Sequence, residues 1–344
     1  MYFIGVDHHK QASVMTILDE DGRELKNGRV FNLKEKVERF LEGYHPFTAV
    51  LEAGRSSYVM ADLLRELGGE VKMANALQVK AIAHARIKTD KRDARTLAQL
   101  LRADLIPEIY QRGERNRRAQ RVMRMRAYWV VKQTEMKNKI RALLAQQREE
   151  IRLEVGKREE GLFRALGVEY LAKLALEDPD KMILDDLVRG YQEVQAHIKK
   201  TDGIVRGLYG EIEEASLIDT VPGFATTLSV VVAVEIADIQ RFPTAGDLHS
   251  YAGVIPSTYA SGERIYHGRI TKQGSAWLRW AVVEAVYPAI KKDLGLRVLY
   301  SRLAKRKGAN VAKIAVARRL LTIIYRILTE KREYIPDMTK RSAA

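Results

Sequence analysis

The chain has 344 residues, no cysteine and a formal net charge of +15. That length suits two or three domains, and the missing thiols exclude disulfides, thiolate nucleophiles and cysteine-bound zinc. No apolar run approaches the roughly 18 residues of a membrane span, and the opening "MYFIGVDHHK" reads as a buried strand rather than a targeting segment, so a cytoplasmic protein is expected.

In chain order, "YFIGVD", "SVMTILDEDG" and "LKNGRVFN" read as three strands, followed by a helix in "KEKVERFLEGY". "FTAVLEAG" is a further buried strand, "YVMADLLRELGG" a helix ended by glycine, and "EVKMANA" a fifth strand. "VKAIAHARIKTDKRDARTLAQLLRADLIP" then contains a helix that closes before Pro107. Strands first and alternation afterwards predict an α/β domain on a mixed sheet. From Arg115 to about Arg148 the chain reads as one long helix, with Val122, Trp129, Met136 and Leu143 recurring every seven residues. A second long helix carries Leu187, Tyr191, Val194, Ile198, Thr201, Val205, Leu208 and Ile212 in steps of three and four. That is a heptad seam, open to pairing within the chain or with another subunit. "IDTVPGFATTLSVVVAVEIADIQRF" predicts helix, Pro-Gly turn and helix, where free backbone N–H groups suit a phosphate. The stretch from Ser250 to Arg279 reads as loop-rich, and two strongly basic helices follow.

The positive charge is concentrated. Residues 111–150 carry a net +8 and residues 291–344 a net +11, against −4 for the remainder. Concentrated basic charge beside a mildly acidic body points to a polyanion, most simply nucleic acid.

Four acids occupy telling positions. Asp7 ends the first apolar strand, Glu52 ends "TAVLE", and Asp90 and Asp93 stand three apart among Lys88, Lys91, Arg92 and Arg95. An acid closing a buried run is costly unless it is paired, and two carboxylates at i and i+3 repel on one helix face. Neighbouring cations could neutralise them, but a hard cation would do so more strongly, and four oxygen donors without cysteine suit Mg²⁺ or Mn²⁺. His8 and His9 directly follow Asp7; a metal or base role is open to them, but a place in the strand turn accounts for them more simply. In "PSTYASGERIYHGRITKQG" Ser257 and Ser261 are candidate nucleophiles, with Arg264, His267, Arg269 and Lys272 close by to balance a phosphate. No Walker loop, HExxH or dinucleotide glycine pattern is present.

In these stretches the chain resembles the transposases of the insertion sequence 110 family, the DEDD recombinases. "IGVDHHK", "AVLEAG" and "KTDKRDARTLAQLL" look like that family's RuvC-like nuclease motifs, carried by Asp7, Glu52, Asp90 and Asp93. "VPGFATTLSVVVAVEIADIQRF" and "YAGVIPSTYASGERIYHGRITKQGSAWLR" look like its C-terminal transposase domain. The resemblance implies an α/β plus all-α chain. An RNase H-like (RuvC-like) domain would span 1–107, a helical coiled-coil segment 108–215 and a mainly helical C-terminal transposase domain 216–344. It also implies an enzyme that cuts and rejoins donor and target DNA, using a Mg²⁺ or Mn²⁺ site at the four acids and a serine that links transiently to DNA. Ser261 aligns as that nucleophile and Ser257 is the reserve. Family members act as homo-oligomers, dimer or tetramer, guided by a structured RNA. Arg117, Arg118, Arg121, Arg124, Arg264, Arg269 and Lys272 are the expected nucleic-acid contacts. Ala225 stands where a second glycine would be usual, and the proline expected after Asn75 is missing. Two rivals differ in class. A RuvC-like Holliday-junction resolvase would use the four acids with water, and a non-catalytic binding protein would need only the basic helices.

Overall fold

A computed structural model describes residues 1–83, 89–261 and 264–336 of the chain. These divide into two compact units, Met1–Arg112 and Gly113–Ala344.

The first unit is a sheet with helices on both faces. Its strands are β1 (Tyr2–His8), β2 (Ala12–Leu18), β3 (Glu24–Phe31), β4 (Phe47–Glu52) and β5 (Glu70–Ala74), in spatial order β3-β2-β1-β4-β5. β1, β2 and β3 pair antiparallel, whereas β4 runs parallel to β1, and β5 parallel to β4. The mixed sheet expected from the order of strand and helix signals is therefore present. Its helices are α1 (Lys34–Leu41), α2 (Ser57–Glu66), α3 (Ala76–Ile82) and α4 (Asp90–Arg102). Strand side chains alternate between faces. On one face Ile4, Val6, Ala49, Leu51 and Met73 pack with Val37 and Leu41 of α1 and Met60 and Leu64 of α2. On the other, Val50, Ala74 and Phe3 pack with Leu97 and Leu101 of α4.

The helix expected to carry the acidic pair and close before Pro107 is α4; ahead of it the same stretch also holds the end of α3, with residues 84–88 between them outside the described set. Thr89 starts α4 by accepting a hydrogen bond from the Arg92 amide at 3.3 Å. Such an N-cap competes with a continuous helix, because its side chain takes the place of the preceding turn's carbonyls.

α4 lies unusually close to the sheet. A Cβ built on Gly5 of β1 would overlap the Ala94 carbonyl oxygen and stand 2.5 Å from the Ala98 amide. Both obstacles are helix backbone and cannot swing aside. Gly5→Ala should therefore lift α4 from β1 and destabilise this unit by about 1–3 kcal/mol, the usual cost of overpacking. Urea unfolding followed by circular dichroism measures it, and an unchanged midpoint contradicts this packing.

The second unit is helical apart from one hairpin. α5 (Glu114–Leu144) and α8 (Asp180–Glu211) are long and antiparallel, and α6 (Glu149–Gly156) and α7 (Ala165–Lys173) cover their far end. The heptad seam is filled within the chain. Met123 and Ala119 share a core with Val205, Trp129 stacks on His197 at 4.2 Å, and Ile140 and Leu144 pack with Leu184, Val188 and Tyr191. The other helices are α9 (Glu213–Asp219), α10 (Thr226–Ile236), α11 (Ala245–Ala252), α12 (Ala276–Glu284), α13 (Val286–Lys292), α14 (Leu294–Lys307) and α15 (Ala309–Glu330). The run "SVVVAVEI" is apolar but for Ser229 and Glu235, and from Ser229 to Ile236 α10 is buried all round, packed by α5, α8, α9 and α12.

The stretch from Ser250 to Arg279, expected to be loop-rich, holds the end of α11, strands β6 (Pro256–Ser261) and β7 (Arg264–Ile270), and the start of α12. The Pro-Gly turn before α10 has a packing explanation. Gly223, at φ +96°, lies against the backbone where α12 meets α13, and a Cβ there would overlap the Ala285 carbonyl. No helix among the described residues is long and apolar enough to cross a membrane.

Candidate active site

The acid site is assembled by register. Val6 of β1 pairs with Leu51 of β4, so the next residues, Asp7 and Glu52, leave the parallel ladder level with each other. Both fall on the α4 face, in phase with Gly5 and Val50. The close approach at Gly5 sets Ala94 over β1. One turn earlier Asp90, the first residue of α4, reaches back to the strand end.

Asp7, His9 and Asp90 each offer an atom within 4.8 Å of the others. His9 Nε2 lies 3.3 Å from Asp7 Oδ2 and 3.4 Å from Asp90 Oδ2. Burial raises the Asp7 pKa, with Asp90 and Asp93 adding repulsion, while His9 opposes the rise. Asp93 is thus near enough for Asp7 to feel its charge. Glu52 is exposed at the end of β4, and neither it nor Asp93 belongs to the 4.8 Å group found among the described residues. Lys88 lies outside those residues.

The donor set could serve a hard cation: carboxylate oxygens converge from one strand end and one helix start, with a single imidazole among them. His8 has a different part. Its Nδ1 is 2.9 Å from Ser13 Oγ and its Nε2 3.0 Å from Ser56 Oγ, which ties the end of β1 to β2 and to the start of α2. Of the two histidines, for which the sequence leaves a metal role open but favours a turn, His9 is the one that stands among the acids. Its signal was the two-residue step from Asp7, which puts the two side chains on one face of a strand.

In the second unit, Ser261 and Arg264 form the last backbone pair of the β6–β7 hairpin. Their side chains, that of His267, and residues 262–263 lie outside what the structure describes. Arg269 and Lys272 are exposed. The hydroxyl of Ser257 lies over Gly268, where a Cβ would come within 2.5 Å of it. The base of the hairpin is held by backbone bonds, Thr271 N–H to the Ile255 carbonyl at 2.9 Å and Lys272 N–H to the Gly253 carbonyl at 3.1 Å.

Beneath it sits Glu235 of α10, whose side chain is 7 % exposed. It accepts hydrogen bonds from Gln120 Nε2 at 3.1 Å, Arg124 at 3.1 Å and Ser275 Oγ at 2.8 Å. Ser275 in turn caps α12 by accepting from the Leu278 amide. Glu235 thus joins α5, α10 and the segment leaving the hairpin. An acid inside "SVVVAVEIA" was its sequence signal, for the reason that singled out Glu52. Arg124, expected at nucleic acid, is engaged in this contact. Arg117, Arg118 and Arg121 all bond to Glu114, which they hold at a pKa of about 2, Arg118 foremost. Arg118 and Arg121 stay largely exposed beside Glu114, whereas the Arg117 side chain, also expected at nucleic acid, is only 11 % exposed.

Comparison with known proteins agrees across both units. A family model described as transposase, of the DEDD type of IS110, matches residues 4–148. A second, described as transposase IS116/IS110/IS902 family, matches residues 215–301. The chain is 24 % identical over 343 residues to a probable family 20 transposase of Pseudomonas aeruginosa, covering 96 % of this chain and 94 % of that one. It is 21 % identical over 341 residues to the transposase for insertion sequence element IS1328 of Yersinia enterocolitica, covering 95 % and 96 %. A pilin gene-inverting protein of Moraxella bovis is 32 % identical over 126 residues, which cover 35 % of this chain and 38 % of that protein.

Proposed function

We propose, because the chain belongs to the IS110 family of transposases, that it cuts and rejoins DNA with an acidic metal site in its first unit and a serine nucleophile in its second. The observation that carries this reading is the convergence of Asp7 and Asp90 from a strand end and a helix start, beside Glu52 and Asp93. The sheet order β3-β2-β1-β4-β5, with its first three strands antiparallel, supports an RNase H-like first domain over residues 1–107. Residues 108–215 then form the helical arm and residues 216–344 the transposase domain. Asp7, Glu52, Asp90 and Asp93 would hold Mg²⁺ or Mn²⁺, which when bound acidifies a hydroxyl and steadies charge on phosphate.

In this reading Ser261 loses its hydroxyl proton, its Oγ bonds to phosphorus, and the bond to the leaving strand's oxygen breaks. That oxygen takes up a proton. Arg264, Arg269 and Lys272 balance the phosphate charge. The ester keeps the energy of the phosphodiester, so the reverse attack reseals DNA without ATP. Resealing is supported by the relative named for gene inversion, because an inverted segment must be rejoined at both ends. A homo-oligomer, dimer or tetramer, belongs to this reading as part of the family's resemblance. The exposed arginines of α5 and the basic α14 and α15 suit DNA and a structured guide RNA.

Purified protein with its copurifying RNA, donor DNA and target DNA tests this. Recombinant junctions are expected with Mg²⁺ or Mn²⁺ and none in excess chelator. Full activity in chelator removes the metal site from the reading.

A further inference from the structure

We propose that His9 is itself a ligand of the metal at the acid site, through Nε2, and that its imidazole tilts the site toward Mn²⁺ over Mg²⁺. This rests on the acid site holding a divalent ion. The placement begins in the strand. Asp7 and His9 are two residues apart and share the face that α4 approaches, whereas His8 points the other way and is tied to Ser13 and Ser56. The turn after β1 is fixed independently. The His9 carbonyl accepts a hydrogen bond from Asn32 Nδ2 at 2.7 Å, and Asn32 Oδ1 accepts one from Ser13 Oγ at 2.7 Å. His9 is therefore presented by an anchored backbone.

The spacing suits a shared ion. Nε2 stands 3.3 Å from an Asp7 oxygen and 3.4 Å from an Asp90 oxygen. Adjacent donors of an octahedron with bonds of about 2.1 Å lie about 3.0 Å apart, so a few tenths of an ångström of closure suffices. A simple counter-cation role would need the proton of Nε2 to lie between the carboxylates, and the two roles exclude each other at the same atom. The donor set separates the two ions. Mg²⁺ prefers an all-oxygen shell that retains water, whereas nitrogen donors strengthen binding of first-row transition ions.

The test uses the full-length protein with Mn²⁺ alone as the probe. Pulsed electron paramagnetic resonance of the bound Mn²⁺ should show coupling to a ¹⁴N nucleus, and His9→Ala should remove it. The variant should weaken Mn²⁺ by about tenfold or more, with Mg²⁺, measured by competition, changing little. His9→Gln, which keeps polarity and length, should behave as His9→Ala does. His9 is half-exposed, so folding should survive, and circular dichroism checks it. Mn²⁺ that binds in an Asp7-dependent manner without nitrogen coupling overturns the role of His9 and leaves the metal site standing. Binding indifferent to Asp7→Asn and to Asp90→Asn overturns both.

Discussion

Asp7→Asn is expected to abolish strand cleavage while leaving DNA affinity intact. Asp7 is the inner member of the acid site, with 23 % of its side chain exposed against 61 % for Asp90. The amide preserves shape and removes the charge that a divalent ion needs. Losing one preorganised electrostatic group commonly costs about 10²–10³ in rate, and a ligand at the centre of the site should reach at least the upper end. DNA affinity should change little, because the basic surfaces lie on α5, α14 and α15.

Stability supplies the control. Burial chiefly raises the Asp7 pKa, so the folded protein holds that proton more tightly than the unfolded chain does. Ionisation above the raised pKa therefore costs stability, and this cost vanishes below the unfolded carboxylate range. The neutral amide is free of it, so metal-free Asp7→Asn should unfold at neutral pH no earlier than wild type. A variant that cuts DNA at the wild-type rate removes Asp7 from the site, whereas one that unfolds early attributes the loss to folding.

Much of the acid site was legible because buried charge is expensive. Asp7 and Glu52 each close an apolar run, and the parallel pairing of β1 and β4 turns that one-dimensional fact into adjacency. Gly5 explains how the helix contributes, yet its reason is the backbone of α4, almost ninety residues on, which no local pattern reveals. For His9 the turn reading outweighs a metal role in the sequence, because an imidazole beside a turn is common. Only the approach of α4 gives it a second carboxylate. The break between α3 and α4 was hidden by helix-forming residues on both sides, although Thr89 was a readable cap. The β6–β7 hairpin was missed because "STYASGERIYHGR" is polar on both strand faces and lacks the alternation of a half-buried strand. The heptads of α5 and α8 were plain, but periodicity cannot name a partner, and here α5 serves α8 within one chain.

Ser261→Ala is expected to bind DNA and form no covalent adduct, as judged by labelled DNA on a denaturing gel. The chain has no cysteine, so a covalent link must use serine, threonine, tyrosine or another oxygen or nitrogen nucleophile. Within the hairpin Ser257, Thr258, Tyr259, Ser261 and Tyr266 all carry hydroxyls. Ser257 lies over Gly268 near the foot of the strands, and Tyr259 pairs with Tyr266 midway along. Ser261 takes part in the last backbone pair of the hairpin, at the opposite end of β6 from Ser257. Its loss should lower adduct below detection, a fall of at least about 10³-fold for removal of a nucleophile. Ser257→Ala and Tyr259→Phe should keep the adduct. A metal-dependent adduct in wild type, absent from both Ser261→Ala and Asp7→Asn, would show the two halves acting in one step. An adduct that survives Ser261→Ala but vanishes with Ser257→Ala moves the chemistry four residues toward the foot of the hairpin. Cleavage by wild type with no adduct at any time leaves water as the nucleophile and makes the enzyme a hydrolytic nuclease at its acid site.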